Sequence, residues 1–478
     1  MSAYLVGIPA IFIGIFLGCW LTPKIAAAII KRLVAKEMKD IDLPFHTFNN
    51  FSLRTFLGDA EPRAYPYMNE KLLSKINEHL RKDHALLVET ATQGISSDDN
   101  MIEYLKKTGL LNEMGIYQDE AQKKFSITDC TKNKFASKAA YAQYNPVSPP
   151  QGPVRLPAEF EPIGAVLLSF PIYYPHCWKT HAEFIRQIVT EADAFVVVPN
   201  ECWQKAVMLY LAQKEIPMEA VKFLHLATDD VWTRDYGPTS VLIGAEQRPA
   251  FIWNPYYIRM QNYYKFDADA AAAALSMNVD IPVYRLPMVI EGGNIITDGK
   301  GTVMLMESVL DVNPDIDKQK LKKIAKDYFG CTRLITFPPC KGEITGHIDM
   351  IVKFVDEDTV MVCSSTKGYK WYNNFENITH ELSKMKSVNG KPYTVIRVPM
   401  PKTSNNAKNV WSYINSLTLN KKVIVPIFNV PEDKEALEIY RSAMPNHEIV
   451  GIDFHRYPVG SVHCQSKEIY QRVLNYSG

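Results

Sequence analysis

Short apolar runs, separated by turns and by helical stretches, dominate the chain from about residue 155 to its end. Residues 166–170 and 195–198 are continuous apolar runs rich in β-formers, which is typical of buried strands. Similar runs lie at residues 239–243, 301–306, 348–354, 360–363, 394–398, 423–427 and 449–454. Helical stretches lie between several of them, at residues 182–192, 318–329 and 434–443. Strands alternating with helices predict an α/β fold, and the runs fall into roughly five strand-rich groups.

The N-terminus differs from the rest of the chain. Residues 4–21 carry no charged side chain, and a run of this length meets the lower limit for a membrane-spanning helix. We therefore predict an uncleaved anchor over residues 1–22. A removed signal peptide is the alternative, but such a peptide has a basic start and none precedes this run. Basic residues follow the run, which places the remainder on the cytosolic or matrix side of the membrane.

Residues 23–150 are predicted to form a helical arm and linker. An apolar anchor followed by a basic amphipathic helix resembles internal targeting signals of mitochondrial inner-membrane proteins, so that membrane is the predicted location. Helical periodicity recurs at residues 71–81 and 100–113, where no catalytic pattern is present. We expect residues 1–150 to bind other protein subunits, or to fold back on their own domain. A proline-rich loop at residues 145–153 marks the boundary before a third domain, residues 151–478.

Composition removes several classes of function. The formal charge of the 478 residues is +1, which provides no electrostatic reason to bind nucleic acid. The eight cysteines are scattered and form no Cys-x-x-Cys pair, so neither a zinc ribbon nor a disulfide framework is indicated.

The segment 346–354 (GHIDMIVKF) carries the first candidate chemistry. Its β-formers predict a strand, on which His347 and Asp349 would project to the same face. A second polar segment, 232–238 (WTRDYGP), places Trp232 and Asp235 immediately before a predicted strand. The turn at 291–294 (EGGN) is followed by a hairpin signal at residues 297–300.

Cys464 is the candidate nucleophile, because it follows a glycine and lies among polar residues. Either of two histidines could favour its thiolate. His463 would point to the opposite face of an extended segment, so His347 is the preferred base. A thiolate, an imidazole and the carboxylates of Asp235 and Asp349 suit a planar guanidinium cation. A metal site is the competing interpretation, although these residues have no familiar metal spacing.

Six segments, taken in order, resemble the sequence motifs of the family of agmatine deiminases and bacterial-type peptidylarginine deiminases. They are 155–162 (RLPAEFEP), 232–238 (WTRDYGP), 291–294 (EGGN), 346–349 (GHID), 412–415 (SYIN) and 462–464 (VHC). The resemblance covers residues 155–478. It implies a pentein α/β-propeller of five ββαβ-type blades, to which the N-terminal transmembrane helix and the helical arm would be additions.

The resemblance also implies a reaction, hydrolytic deimination of peptidyl-arginine or an agmatine-like guanidine. Cys464 would be the nucleophile and His347 the general acid and base, while Asp235 and Asp349 bind the guanidinium. Asn415 matches a supporting asparagine of the family, and Trp232 is a further candidate for substrate binding. The family implies no cofactor and no metal. The stretch 253–259 carries one arginine, Arg259, in a setting unlike the carboxylate-binding arginines of the secreted bacterial enzymes.

Two other functions remain open. The chain could be a structural or accessory subunit of a membrane complex that keeps the deiminase fold, because the anchor and the arm favour protein partners. It could also be an amidinotransferase, which would pass the amidino group to an amine instead of to water.

Overall fold

The structure is a computed structural model of the chain. The residues that it describes are 148–171, 177–198, 204, 207, 208, 210–212, 214–225, 231–253, 281–341, 343, 345–402, 411–455, 457 and 460–475. The predicted anchor, residues 23–147 of the predicted arm and linker, and with them the predicted helices at 71–81 and 100–113, lie outside these residues. No helix within the described ranges is both long enough and apolar enough to cross a membrane.

Seventeen strands are present in the described part of the chain. They are β1 (Val154–Arg155), β2 (Ile163–Ser169), β3 (Asp193–Val198), β4 (Val221–His225), β5 (Thr239–Ile243), β6 (Arg248–Trp253), β7 (Val283–Arg285), β8 (Ile296–Thr297), β9 (Thr302–Met306), β10 (Arg333–Phe337), β11 (Val352–Phe354), β12 (Thr359–Ser364), β13 (Thr394–Pro399), β14 (Leu417–Leu419), β15 (Lys422–Ile427), β16 (Glu448–Asp453) and β17 (Lys467–Tyr470). All belong to one compact unit formed by Cys130–Phe170 and Lys179–Gly478.

The strands form five small sheets with a common plan. Their orders are β1-β5-β6-β7, β10-β9-β8, β11-β12-β13, β14-β15-β16 and β17-β2-β3-β4. In each sheet an antiparallel pair is followed by a parallel strand, as in β11, β12 and β13. A parallel neighbour requires a crossover, and a helix provides it in four of the sheets. In the remaining sheet the connection between β6 and β7 includes residues 254–280, which lie outside the described part.

The α-helices of the described part are short. They are α1 (Trp178–Ile188), α2 (Thr233–Tyr236), α3 (Ser308–Asp311), α4 (Lys318–Phe329), α5 (Tyr372–Lys384), α6 (Glu432–Ala443) and α7 (Gln471–Leu474). Helix α4 has the bounds that the sequence predicts, because both of its ends are marked. Asp317 accepts a hydrogen bond from Lys320 N at its start, and Gly330 adopts a left-handed conformation after its end.

One strand of each of four sheets contributes to a cavity of about 40 Å³. Its walls include residues of β5, β8, β11 and β17, and Ile414, which precedes β14 of the fifth sheet. All five sheets, or the segments leading into them, therefore meet at one place. The cavity wall also carries buried charged side chains, among them Asp349, His463 and Lys467. The candidate site lies against this wall.

Candidate active site

Cys464 lies in the turn before β17 and is 2% exposed. Arg234, in α2, fixes the backbone beside it. Its backbone N donates to Cys464 O at 3.1 Å, and its Nε donates to His463 O at 3.2 Å. Arg234 is itself held by an ion pair with Glu468 at 2.6 Å. The turn that carries the thiol is thus tied to the segment that carries Asp235.

Asn415 joins the thiol to a carboxylate. Its Nδ2 donates to Cys464 Sγ and to Asp349 Oδ2, each at 3.1 Å. Its Oδ1 accepts hydrogen bonds from Ser461 N at 3.0 Å and from Cys464 N at 3.1 Å. The amide group is fully buried, so these bonds set the distance between Asp349 Oδ2 and Cys464 Sγ at 3.8 Å.

The strand predicted over residues 346–354 is wrong in its first half. Residues Ile348–Met350 form a 3-10 turn, with His347 at its N-cap, and β11 begins only at Val352. The turn is held by Asn294, whose Oδ1 accepts from Ile348 N at 3.3 Å and from Met306 N at 2.8 Å. His347 and Asp349 approach the same point because of this turn, and not because of strand alternation.

Gly293 lies at the point that His347 and Asp349 approach. A Cβ atom added to Gly293 would lie 2.6 Å from His347 Nδ1, 2.8 Å from Asp235 Oδ1 and 3.1 Å from Asp349 Oδ2. Gly293 N also donates to Asp235 Oδ1 at 3.0 Å. The structure therefore brings Asp235, His347 and Asp349 together around a backbone that has no side chain, and Asp349 connects them to Cys464.

Trp232 lies at the N-cap of α2 and is partly buried. Gly460, with φ of +67°, separates it from the thiol. A Cβ atom on Gly460 would lie 2.9 Å from Trp232 Nε1 and 3.2 Å from Cys464 Sγ. The indole ring is thus beside the thiol. The stretch that contains Arg259 lies outside the described residues.

Glu291 is a site residue that sequence reasoning missed. Its Oε2 atom is 2.6 Å from His347 Nε2. The other ring nitrogen of His347, Nδ1, is 3.5 Å from Asp235 Oδ1. The sequence predicts a turn at the segment EGGN, and the acidic residue of that segment could have indicated a role in the site. Glu291 directs one imidazole nitrogen away from the point where the carboxylates of Asp235 and Asp349 meet.

His463 was expected to point away from the site, and that expectation is wrong. Residues 462–465 form a turn rather than an extended segment. His463 Nδ1 is 2.7 Å from Asp349 Oδ2, and its Nε2 is 2.8 Å from Glu159 Oε2. Glu159 is a second residue that sequence reasoning did not assign to the site, although it belongs to the segment RLPAEFEP.

The electrostatics of the site favour a cation. Burial raises the pKa of the Cys464 thiol well above its usual range, and the carboxylates of Asp349 and Asp235 raise it further. The pKa of Asp349 is nevertheless lowered, because His463, His347 and Arg234 outweigh the effect of its burial. The lowered pKa of Asp349 favours its carboxylate form, whereas the raised pKa of Cys464 favours the neutral thiol. A bound cation would favour the thiolate.

Asp235, Glu291 and His347 could also hold a metal ion. One ligand atom from each lies within 4.8 Å of the others, and all three residues are buried. Two carboxylates and one imidazole are ligands that several divalent cations accept. The same carboxylates suit a guanidinium, so the donor set by itself does not select a metal.

Comparison with known proteins decides the family. The model of the Porphyromonas-type peptidyl-arginine deiminases matches residues 155–469, which is well over half of the chain. The chain belongs to this family. The resemblance stated from the six ordered segments is therefore confirmed, and so is the predicted enzyme class, a hydrolytic guanidine deiminase.

Relatives of this deiminase family extend to proteins named for agmatine. The chain is 26% identical over 356 residues to a "putative agmatine deiminase" of Selenomonas ruminantium, covering 66% of the chain and 95% of that protein. A protein of the same description from Yersinia pestis is 26% identical over 364 residues, covering 68% of the chain and 97% of that protein.

Solved structures of deiminases share the fold. The agmatine deiminase of Enterococcus faecalis superposes with a TM-score of 0.61 at 22% identity, covering 68% of this chain and 98% of that one. A structure described as a "putative arginine deiminase" of Porphyromonas gingivalis gives 0.59 at 22% identity, covering 67% and 99%. At such identities the likeness shows the fold, which agrees with the predicted α/β class.

Proposed function

We propose that the chain hydrolyses a guanidinium group to a ureido group and ammonia, through a covalent amidino thioether on Cys464. The observation that carries this proposal is the group of side chains around Gly293. Two carboxylates and an imidazole meet there, and Asn415 joins one of the carboxylates to a buried thiol. Asp235 and Asp349 would each accept N–H groups from the guanidinium.

In the first half of the reaction the guanidinium favours ionisation of Cys464, and His347 accepts the thiol proton. The thiolate then attacks the central carbon of the guanidinium and forms a C–S bond. His347 returns the proton to one terminal nitrogen, the C–N bond to that nitrogen breaks, and ammonia leaves. The product of this half is an amidino thioether that still carries one positive charge.

In the second half His347 takes a proton from water, and the resulting hydroxide attacks the same carbon. The C–S bond breaks, and Cys464 regains a proton from His347. The ureido product forms as one further proton passes to ammonia. The sum of the two halves is guanidinium plus water giving urea-type product plus ammonium. Glu291 supports both halves, because it holds Nε2 of His347 and leaves Nδ1 for proton transfer.

The fold of the domain is proposed to be a pentein propeller with five blades. This arrangement is supported by the common plan of the five sheets. It is also supported by the cavity, which is lined by residues of four sheets and by a residue that precedes the fifth. An axial arrangement would explain how residues from Glu159 to Cys464 reach one place.

The substrate is proposed to be an agmatine-like guanidine or peptidyl-arginine, since the relatives carry these two names. We further propose that residues 1–22 tether the enzyme to a membrane, with the mitochondrial inner membrane as the predicted location, and that residues 1–150 bind other subunits there. The proposals on the membrane and on the partner subunits rest on the sequence alone.

The full-length protein in mild detergent should be incubated with agmatine, with free arginine, and with peptides that contain internal or C-terminal arginine. We expect equal amounts of ammonia and ureido product from at least one of them. Cys464→Ser should abolish turnover. Cys331→Ser is the matched control, because Cys331 is also buried but lies between α4 and β10.

Three outcomes would overturn the proposal. Equal turnover by Cys464→Ser and the parent would exclude the nucleophile. Product formation only when an amine acceptor is added would indicate an amidinotransferase. The absence of turnover with every guanidine, together with an unreactive Cys464, would leave the accessory-subunit function.

A further inference from the structure

His463 bridges two carboxylates in the interior. Its side chain is 5% exposed, that of Asp349 2% and that of Glu159 17%. The Nδ1 atom is 2.7 Å from Asp349 Oδ2, and the Nε2 atom is 2.8 Å from Glu159 Oε2. Both distances are those of charge-assisted hydrogen bonds.

The two contacts define the protonation state of the ring. A neutral imidazole has one N–H donor and one acceptor nitrogen, so one of the two carboxylates would face a lone pair. An imidazolium donates from both nitrogens. The alternative, a protonated Glu159, is disfavoured because the ammonium group of Lys353 contacts Oε1 of Glu159 and favours the carboxylate form. His463 is therefore the donor in both contacts.

Glu159 is anchored on its other side. Its Oε1 accepts from Lys353 Nζ, in β11, and from Thr418 N, in β14, at 2.6 Å. Lys353 Nζ also donates to Ser416 O at 3.1 Å. The carboxylate that holds His463 is thus fixed by strands of two different sheets.

The bridge has a consequence for Asp349. Its Oδ2 accepts from His463 Nδ1 and from Asn415 Nδ2. Its Oδ1 is buried and has no hydrogen-bond partner among the described residues. One oxygen is therefore held in place, and the other is left to accept an N–H group from a ligand.

We propose that His463, kept as an imidazolium by Glu159, is a positioning residue that aims Oδ1 of Asp349 at the guanidinium. It does not touch the substrate or the reacting atoms. This role rests on the proposed deimination. The charged groups around the ring are Asp349, Glu159, Lys353, Arg234 and Glu468, so a fixed positive charge at His463 also offsets part of the surrounding negative charge.

Glu159→Gln is the first test, because it keeps the shape of the side chain and removes the charge. The loss of one charge-assisted hydrogen bond predicts a fall in kcat/KM of about 10- to 100-fold. The fall should be mainly a rise in KM, since Asp349 binds the guanidinium and His347 carries the protons. Glu159→Asp should recover part of the loss. Glu376→Gln is the matched control and should leave kcat/KM unchanged, because it removes only the ion pair between Glu376, on α5, and Arg397, on β13.

A spectroscopic measurement separates this role from general destabilisation. The 15N spectrum of histidine-labelled full-length protein should show an imidazolium with two N–H groups at pH 7.5, and that signal should vanish in His463→Gln. In Glu159→Gln the signal should become that of a neutral ring. This measurement needs no turnover, so it tests the bridge even if the proposed reaction fails.

A neutral His463 ring in the parent would overturn the proposal. An unchanged KM in Glu159→Gln, with the ring neutral, would also overturn it, because the charge would then be irrelevant to binding. If His463→Gln fails to fold, Glu159→Gln and its melting temperature against Glu376→Gln still decide the question.

Discussion

Glu291 Oε2 lies 2.6 Å from His347 Nε2, and both side chains are buried. The carboxylate fixes which edge of the imidazole carries its proton when the ring is neutral, so that Nδ1 remains available toward Asp235 and Gly293. Glu291→Gln would remove the negative charge that stabilises an N–H at Nε2 and the imidazolium that forms during proton transfer. We expect kcat to fall by about 100-fold or more.

The control for that variant is Glu307→Gln, which removes a carboxylate that pairs with Lys318 away from the site. Steady-state kinetics with the best guanidine of the panel provide the measurement. A Glu291→Gln enzyme with wild-type kcat would show that the negative charge of Glu291 does not contribute to proton transfer by His347.

Gly293→Ala should inactivate the enzyme while leaving it folded. The new Cβ would lie 2.6 Å from His347 Nδ1 and 2.8 Å from Asp235 Oδ1, so these side chains must move. Overpacking of this kind costs about 1–3 kcal/mol of stability, and the displaced groups should lower kcat/KM by about 100-fold. Gly451→Ala is a useful comparison for stability, because its backbone is not left-handed and an added Cβ there would meet only side-chain methyl groups of Ile427 and Leu437, at 3.1 and 3.4 Å. Equal activity of Gly293→Ala and the parent would contradict the geometry of the site.

Cys464 should respond differently to neutral and cationic reagents. Its pKa is raised by burial and by two carboxylates, so the thiolate is scarce at pH 7.5 and becomes available only as the pH rises above the usual range of a thiol. Iodoacetamide should therefore label it slowly, with a rate that still increases above pH 9. A haloacetamidine brings its own positive charge and should react at least about 10-fold faster at pH 7.5. Mass spectrometry of the labelled peptide distinguishes Cys464 from the other cysteines. A labelling rate that levels off near neutral pH would contradict this prediction.

Lys467 should cost the protein stability at neutral pH. Burial lowers its pKa from 10.5 to about 8, so the protonated form is favoured in the unfolded chain. The penalty is present below pH 8 and is relieved as the pH rises from about 8 toward 10.5. Lys467→Met should raise the free energy of unfolding at pH 7 by up to about 3 kcal/mol, and by less at pH 9.5.

Urea unfolding at the two pH values checks this expectation, with Lys434→Met as the control on an exposed ion pair. A destabilised Lys467→Met protein at pH 7 would indicate that the ammonium has a partner in the folded state that offsets its burial.

The predicted anchor can be tested by whether the protein stays with the membrane fraction of cells. Because residues 4–21 carry no charge, carbonate extraction should leave the protein in the membrane pellet. Deletion of residues 1–22 should release it. A mature N-terminus beyond residue 21 would favour the removed signal peptide. Migration of the full-length protein as a monomer, unchanged by deletion of residues 1–150, would contradict the prediction of partner subunits.

The elements that sequence reasoning placed well are those with a strong local signal. Helix α4 has an N-cap and a left-handed glycine, and β12 is a continuous apolar run. The hairpin at residues 297–300 is also present, with Gly299 at positive φ between β8 and β9. Strand β4 (VKFLH) was missed, because its five residues form neither a continuous apolar run nor a strict alternation of apolar and polar residues.

The site was only partly predictable, because some of its residues have no strong local signal in the sequence. Cys464 and Asp235 have chemistry that is visible in the sequence. The position of His463 was predicted wrongly because it lies in a turn of four residues, which the local sequence pattern does not reveal. His463 N donates a hydrogen bond to Asn415 O, and Arg234 donates to His463 O and Cys464 O. Glu291 and Glu159 act through partners 56 and 304 residues away, and distances of that kind are set only by the tertiary fold.

The pairing of β17 with β2 has a consequence for the order in which the site forms during synthesis. Strand β17 pairs with β2, and His463 reaches Glu159 across 304 residues of sequence. A nascent chain that has emerged as far as Gly460 already contains Asp235, Glu291 and His347, but it lacks the thiol and leaves one edge of β2 without its partner. Contacts of such long range form late, because a large loop must close first. The nucleophile is therefore synthesised after the other site residues and enters the interior in the same step that completes the sheet of β2 and β17.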